Sequence, residues 1–388
     1  MNQQPRKAGK GLLIFPLLKD LSKADGILVK NEGIRRGFIA NGIDVDTLEF
    51  NTGGVFNGDE KIYSFSPGRY ARIFQYNVTA WKNILAYITR KQYDFIWFRI
   101  PILTPPIAWF VKGLKKAYPH CTILLEYGAY PYVNELGRFK RTLFHLNRGY
   151  EKMTHRNADY VITYSGQQSV DNLPNIPINN GIDLDNIPVA DPGPIDRQLN
   201  FISVSSLKKW HAYERFIAGL PAYLSKPGHL PIHFDIVGNG PEFDKLVQLV
   251  DELKLKEQIT FHKFKTGAEL DAIYARNHVA IGTLGFHRIG ITNSSSLKNR
   301  EYFARGLPIV LSTPDLDMPP SLPYVLYVPE GEEPVDIAAV VAFAQRAYRP
   351  GLNREIRAYA DAHVSWTSKI AEVLPYLTQR QAAATAAS

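Results

Sequence analysis

Between residues 293 and 310 the chain reads NSSSLKNREYFARGLPIV, three serines ahead of a helix-forming run that closes on Gly-Leu-Pro and an aliphatic strand. A helix beginning within Ser294, Ser295 and Ser296 leaves its first backbone N–H groups without intrahelical partners, and the aligned peptide dipoles add partial positive charge there. Such an end attracts anions. At ~100° per residue, Ser294, Lys298, Glu301 and Arg305 fall on one face, with Leu297 and Ala304 towards another. A diphosphate suits the N–H groups and Lys298, while Glu301 suits the two hydroxyls of a ribose. An ordinary serine cap, with Lys298 and Glu301 as an i,i+3 surface pair worth ~0.2–0.5 kcal/mol, fits the same spacing. Spacing alone leaves both open.

Other residues invite chemistry. The stretch SSLKKWHA offers the cations Lys208, Lys209 and His211, although consecutive lysines commonly form a solvated turn. Glu126 ends the apolar run CTILLE, where a carboxylate needs a hydroxyl or a cation as partner. It could orient a substrate or act as a base, or form a structural salt bridge with Arg99 of FIWFRIP. The ten histidines show no metal-ligand spacing, and no serine sits in a nucleophile-elbow pattern, so metal-independent chemistry is expected.

The elements that must hold these groups are legible from pattern. Strand candidates GLLIFPL, IDVDTLEF, YDFIWFRIP, CTILLEYG and DYVITYS alternate with helical segments in the first half. NFISVSS, HFDIVGNG, QITFHKF, HVAIGTL and LPIVLST do the same in the second. A segment with three prolines, DLDNIPVADPGPIDRQLN, lies between. The expected fold class is α/β, two Rossmann-like doubly wound domains facing a cleft, with ligands outside the carboxyl ends of the strands. The expected division is a first domain over 1–187, a linker over 188–197 and a second domain over 198–365, then a helix over 366–378 crossing back and a disordered tail over 379–388.

A length of 388 residues favours two domains, and 45% apolar with 21% charged residues is a globular composition. The single Cys121 permits no intramolecular disulfide and fits a reducing cytosol. No window approaches the ~20 apolar residues that span a bilayer, and the amino terminus does not read as a signal peptide. The formal net charge of +8 favours phosphorylated ligands or an anionic lipid surface. Nucleic acid is not expected, since no basic block, zinc pattern or RNA-binding aromatic signature occurs. RFKRTLFHLNRGYEKMTHR, residues 138–156, has the spacing of an amphipathic basic helix, which packs on its own sheet by default and on anionic lipid as the alternative.

REYFARGLPIV resembles the carboxy-domain signature of B-fold nucleotide-sugar glycosyltransferases, family 4 in particular, as found in bacterial polysaccharide assembly. INNGIDL (178–184), DIVGNGPEFDKL (235–246), SSLKKWHAYERFIAGL (205–220), EYGAYPYVNEL (126–136) and SWTSKIAEVLPYL near the end resemble further family segments in the same order. The resemblance implies a transferase that moves a sugar from a nucleotide-diphosphate sugar, with retention, to a glycan or polyprenyl-diphosphate-linked acceptor. It implies no cofactor beyond that co-substrate, and a cytoplasmic, peripherally membrane-associated place of work. Glu301 would hold the ribose; Lys298 and the N–H groups of Ser294, Ser295, Ser296 and Leu297 would hold the diphosphate.

Lys209 and His211 would approach from the facing loop, and Gly26 and Gly238 would let backbone near the donor. Glu126, Tyr130, Tyr132 and Glu135 would serve acceptor or catalysis. Asn293 stands where the family commonly has a first Glu that holds the transferred sugar, which exchanges a charge for an amide. Two rivals are a nucleotide-sugar 2-epimerase of the same fold, for which Glu126 is the evident carboxylate, and a non-catalytic binding partner subunit.

Overall fold

The computed structural model describes residues 9–17, 26–101, 103–128, 148–164 and 167–386. Contacts divide the chain into one unit of Met1–Asn179 with Trp366–Ser388 and another of Asn180–Ser365. The proline-rich segment after residue 187 belongs to the second unit. Ala190 is buried there and its N–H reaches the Arg305 carbonyl at 2.8 Å, while Arg357 holds the carbonyls of Leu184 and Ile187, each at 2.7 Å.

In the first unit β1 (Gly11–Phe15), β2 (Val45–Asn51), β3 (Gly54–Asn57), β4 (Glu60–Ser64), β5 (Phe95–Arg99), β6 (Thr122–Glu126) and β7 (Tyr160–Ile162) form a sheet of order β4-β3-β2-β1-β5-β6-β7. From β2 through β7 the strands run parallel, and β3 and β4 extend the edge as an antiparallel hairpin. The runs GLLIF and TILLE are buried throughout, as strands covered on both faces must be. One face carries Trp81, Phe98 and Phe110 beneath the helices Ala80–Ile88 and Pro105–Ala117. The other carries Phe38, Phe95 and Trp97 with Trp366 and Ile370, beneath the helices Gly26–Ala40 and Trp366–Ala386.

That last helix continues through the segment expected to fray, and its QAAATA run has high intrinsic helix propensity. Among the described residues no helix is long and apolar enough to cross a membrane. A two-stranded ribbon, β8 (Ser169–Val170) and β9 (Leu173–Pro174), completes the unit.

The second unit holds β10 (Leu199–Val204), β11 (Ile232–Val237), β12 (Ile259–Phe261), β13 (Val279–Ile281), β14 (Ile309–Leu311) and β15 (Val325–Tyr327), all parallel, in the order β12-β11-β10-β13-β14-β15. Strand order reverses between β10 and β13, the point where open α/β sheets form a crevice at their carboxyl ends. The helix Leu297–Ala304 connects β13 to β14, so it begins at that end. The loop after β10 lies beside it. Leu284 donates to the His211 carbonyl at 3.1 Å, and a Cβ on Gly285 would sit 2.7 Å from that of Ala212.

Candidate functional site

Ser296 precedes the helix in extended conformation, φ −71° and ψ 130°, and its hydroxyl caps nothing. The serine-cap alternative is not what the chain adopts. The first-turn N–H groups of Leu297 and Lys298 have no acceptor among the described residues. Lys298 turns away from Glu301, so the i,i+3 pair does not form either. Its Nζ donates to the Tyr213 hydroxyl at 3.1 Å, and no carboxylate pairs with it among the described residues. Burial lowers this ammonium to about 7, which marks a cation short of counter-charge.

Tyr213 in turn stacks on His211, ring centres 5.6 Å apart. His211 Nδ1 accepts from the Lys208 N–H at 3.0 Å, which leaves Nε2 as the protonated nitrogen of the neutral ring. Burial, then the charges of Lys298 and Lys208, hold His211 down at about 2. The imidazole is therefore a neutral donor. Of the two consecutive lysines, Lys208, over the Trp210 ring at 4.8 Å, is the one whose charge reaches this histidine. Lys209 instead lines an open cavity of about 470 Å³ with Glu214, Glu242, Lys245, Arg288 and Glu332.

Glu301 is half-buried, and one of its oxygens, Oε1, accepts from Arg305 at 3.1 Å. Arg305 is also held by Asp271 at 2.7 Å and lies 3.9 Å over the Tyr274 ring. Oε2 of Glu301 takes no partner among the described residues and is the atom left for a hydroxyl. Around the helix start, the oxygens Asn293 Oδ1, Ser294 Oγ, Asn180 Oδ1 and Asn299 Oδ1 are buried without hydrogen bonds. Buried polar atoms ordinarily find partners, so this cluster of unpaired oxygens sets the helix start apart from the rest of the core.

Two devices fix this helix, and the sequence reading missed both. Asn180 clamps it: its N–H donates to Ser295 Oγ at 2.8 Å, its Nδ2 to the Ser295 carbonyl at 2.7 Å, and its carbonyl accepts from Arg300 at 3.0 Å. Arg300 is fully buried and forked onto Asp315, with Asp317 at 2.7 Å. An arginine at a position where the helix buries Asn299, Tyr302 and Phe303, followed by Asp-Leu-Asp, was the available signal.

Gly238 has a structural role in its loop. Its φ of +125° is foreign to L-residues, and a Cβ would lie 1.8 Å from the Ser205 carbonyl oxygen, so it lets the β11 and β10 loops touch.

In the first unit Glu126 is fully buried. Lys30, from the helix Gly26–Ala40, is its ion-pair partner at 2.8 Å, and Arg99, directly across in register, stands at 4.0 Å. Trp97 Nε1 and the Tyr164 hydroxyl donate to the same carboxylate at 2.7 and 3.1 Å. Burial pushes this carboxyl up, but Lys30, Arg99 and the Trp97 hydrogen bond outweigh it and hold the group at about 2. Lys30, lowered to about 8 chiefly by burial, also sits 3.8 Å over the Tyr164 ring. The salt-bridge reading of Glu126 describes this geometry, with Lys30 ahead of Arg99. Gly26 is exposed at the first position of its helix. Tyr130, Tyr132, Glu135 and residues 138–147 of the basic segment lie outside the described residues.

Residues 190–316 match the family model described as glycosyl transferases group 1. No curated protein matches the chain. Among solved structures, sucrose-phosphate synthase from Thermosynechococcus elongatus is similar over 98% of this chain and 100% of its own, at 18% identity and a TM-score of 0.62. A glycosyltransferase from Rickettsia africae aligns over 97% and 99%, at 12% identity and 0.61. Anabaena HepE, in complex with UDP, aligns over 95% and 100%, at 14% and 0.60. At such identities the likeness shows the fold. It is the glycosyltransferase B fold, two Rossmann-like domains, as the sequence resemblance implied.

Proposed function

We propose that this chain is a nucleotide-sugar-dependent glycosyltransferase whose second unit holds the donor. The observation that carries the reading is Lys298, a cation lowered by burial and lacking a carboxylate, beside the unpartnered N–H groups that open its helix. A diphosphate supplies the missing negative charge, and the departing nucleoside diphosphate would be stabilised by the same groups as the glycosidic bond breaks. Glu301 Oε2 lies one turn further along for the ribose, and His211 adds a neutral N–H. The family match over 190–316 includes these residues, and Anabaena HepE has been crystallised with UDP and with UDP-glucose.

The finer reading follows the family 4 resemblance: retention of configuration, no metal or other cofactor, and a glycan or lipid-linked acceptor in surface polysaccharide synthesis at the cytoplasmic membrane face. Glu126, the carboxylate on which an epimerase would depend, is engaged by Lys30, Trp97 and Tyr164, which favours transfer over epimerisation.

Incubation with UDP-, GDP- and ADP-sugars tests the proposal. Slow release of free sugar and nucleoside diphosphate from one of them is expected, with an acceptor accelerating it. An isomerised nucleotide sugar would replace this reading with the epimerase, and tight binding without turnover across an acceptor panel would replace it with a binding module.

A further inference from the structure

The helix Arg69–Phe74 and the π turn Gln75–Thr79 that prolongs it contribute no buried residue. Yet Tyr70, Ile73, Phe74 and Val78 stand on them, exposed by 85, 42, 60 and 50%. Tyr70, Phe74 and Val78 follow one another at intervals of four and so share a stripe. The core is served by the next helix instead, where Trp81, Ile84 and Ile88 are buried. The helix Pro105–Ala117, which packs beside the π turn, adds Trp109, 59% exposed. Single exposed apolar residues need no explanation, but a stripe of this kind marks an interaction surface.

Charge identifies the occupant. Between Glu60 and Glu126 the sequence has ten Lys or Arg and a single acid, Asp94. Arg69, Lys82, Lys112 and Lys116 are exposed and enter no ion pair among the described residues. A second copy of this face would set like charges against each other. An interfacial helix on anionic lipid needs aromatic and aliphatic residues flanked by cations, without carboxylates.

We propose that this face docks on an anionic lipid leaflet, with Tyr70, Ile73, Phe74 and Val78 entering the boundary between headgroups and acyl chains. Arg69, Lys82, Lys112 and Lys116 then meet the headgroup phosphates. Its residues are other than those of the basic segment 138–156, on which the sequence reading placed a lipid contact, although Trp109 meets Tyr150 of that segment with ring centres 6.4 Å apart. It is also independent of whether the second unit transfers a sugar.

Vesicle flotation of the full chain tests it, with phosphatidylcholine alone and with equal parts phosphatidylcholine and phosphatidylglycerol. The protein should float with the anionic vesicles only. Tyr70→Ser/Phe74→Ser and Arg69→Glu/Lys82→Glu should each weaken that partitioning roughly tenfold or more, with thermal unfolding and nucleotide binding unchanged. Failure of the wild type to float, or variants that float equally well, would overturn the proposal. So would wild-type dimers in light scattering that dissociate on Tyr70→Ser/Phe74→Ser, since the occupant would then be a second copy.

Discussion

Lys298 Nζ lies 3.1 Å from the Tyr213 hydroxyl and 5.3 Å from the centre of that ring, and the helix that carries it supplies no carboxylate to neutralise it. An aromatic ring and a phenol compensate a buried ammonium only in part, which is why its proton is loosely held. A phosphate arriving there makes the ammonium the favoured form again.

Proton linkage follows from that geometry. In the unfolded chain Lys298 titrates at its ordinary 10.5, in the ligand-free fold at about 7. Between those values the unfolded chain binds more protons, so stability of the ligand-free protein should rise with pH across this window. A nucleoside diphosphate should reverse the shift, so its binding at pH 8 should take up a proton. Calorimetry in buffers of different ionisation enthalpy reads this directly. Lys298→Met should abolish the uptake and weaken binding by ~1.5–3 kcal/mol, the range for a charge-assisted hydrogen bond.

Glu301 yields a second expectation, because Oε2 is uncommitted while Arg305 retains Asp271 if the carboxylate is removed. Glu301→Ala should therefore fold and lose ~1–3 kcal/mol of nucleotide affinity. Deoxyribose analogues lacking one diol hydroxyl should bind the wild type less well than the ribonucleotide, and bind the variant about equally. Affinity unchanged by the substitution would remove the ribose role.

The parallel strands were legible because residues buried on both sheet faces form unbroken apolar runs, such as GLLIF, CTILLE and NFISV. The hairpin Gly54–Asn57 and Glu60–Ser64 was not, since the first strand runs from buried to half-buried and the second mixes exposed and half-buried residues, neither with a clear alternation. The helix start within 293–301 and its unpartnered N–H groups could be read because helix starts have a fixed local chemistry. Lys30, Asn180 and Arg300 could not, because their partners lie 96, 115 and 15 positions away and only the fold brings them together. The choice of Lys209 over Lys208 rested on neighbouring sequence; side-chain direction within the loop puts Lys208 near His211.

Gly238 tests how closely the β10 loop is held. Its φ of +125° and the 1.8 Å approach of the Ser205 carbonyl to a built Cβ mean that Gly238→Ala must move backbone. A loss of roughly 2–4 kcal/mol in unfolding free energy is expected, from strain at a left-handed position and loop displacement. Nucleotide affinity should fall as well, since the displaced loop continues to Lys208 and His211. Urea unfolding and calorimetry on the same preparation separate the two effects.

Glu126 and Lys30 form the sharpest test between structure and chemistry in the first unit. Breaking a buried pair leaves one charge uncompensated, so Glu126→Gln should cost about 3–5 kcal/mol of stability, measured by urea unfolding at pH 7. The carboxyl stands at about 2 in the fold against 4.5 ordinarily, so its contribution is complete above 4.5 and lost as the pH falls towards 2. The variant should lack that part of the acid limb. Lys30, at about 8 in the fold against 10.5, adds stability as the pH rises between those values, and this should be altered too when its partner is gone. Lys30→Met/Glu126→Leu, which removes both charges, should recover much of the loss. A catalytic base would behave otherwise: Glu126→Gln would abolish turnover while the unfolding curve stayed where it was.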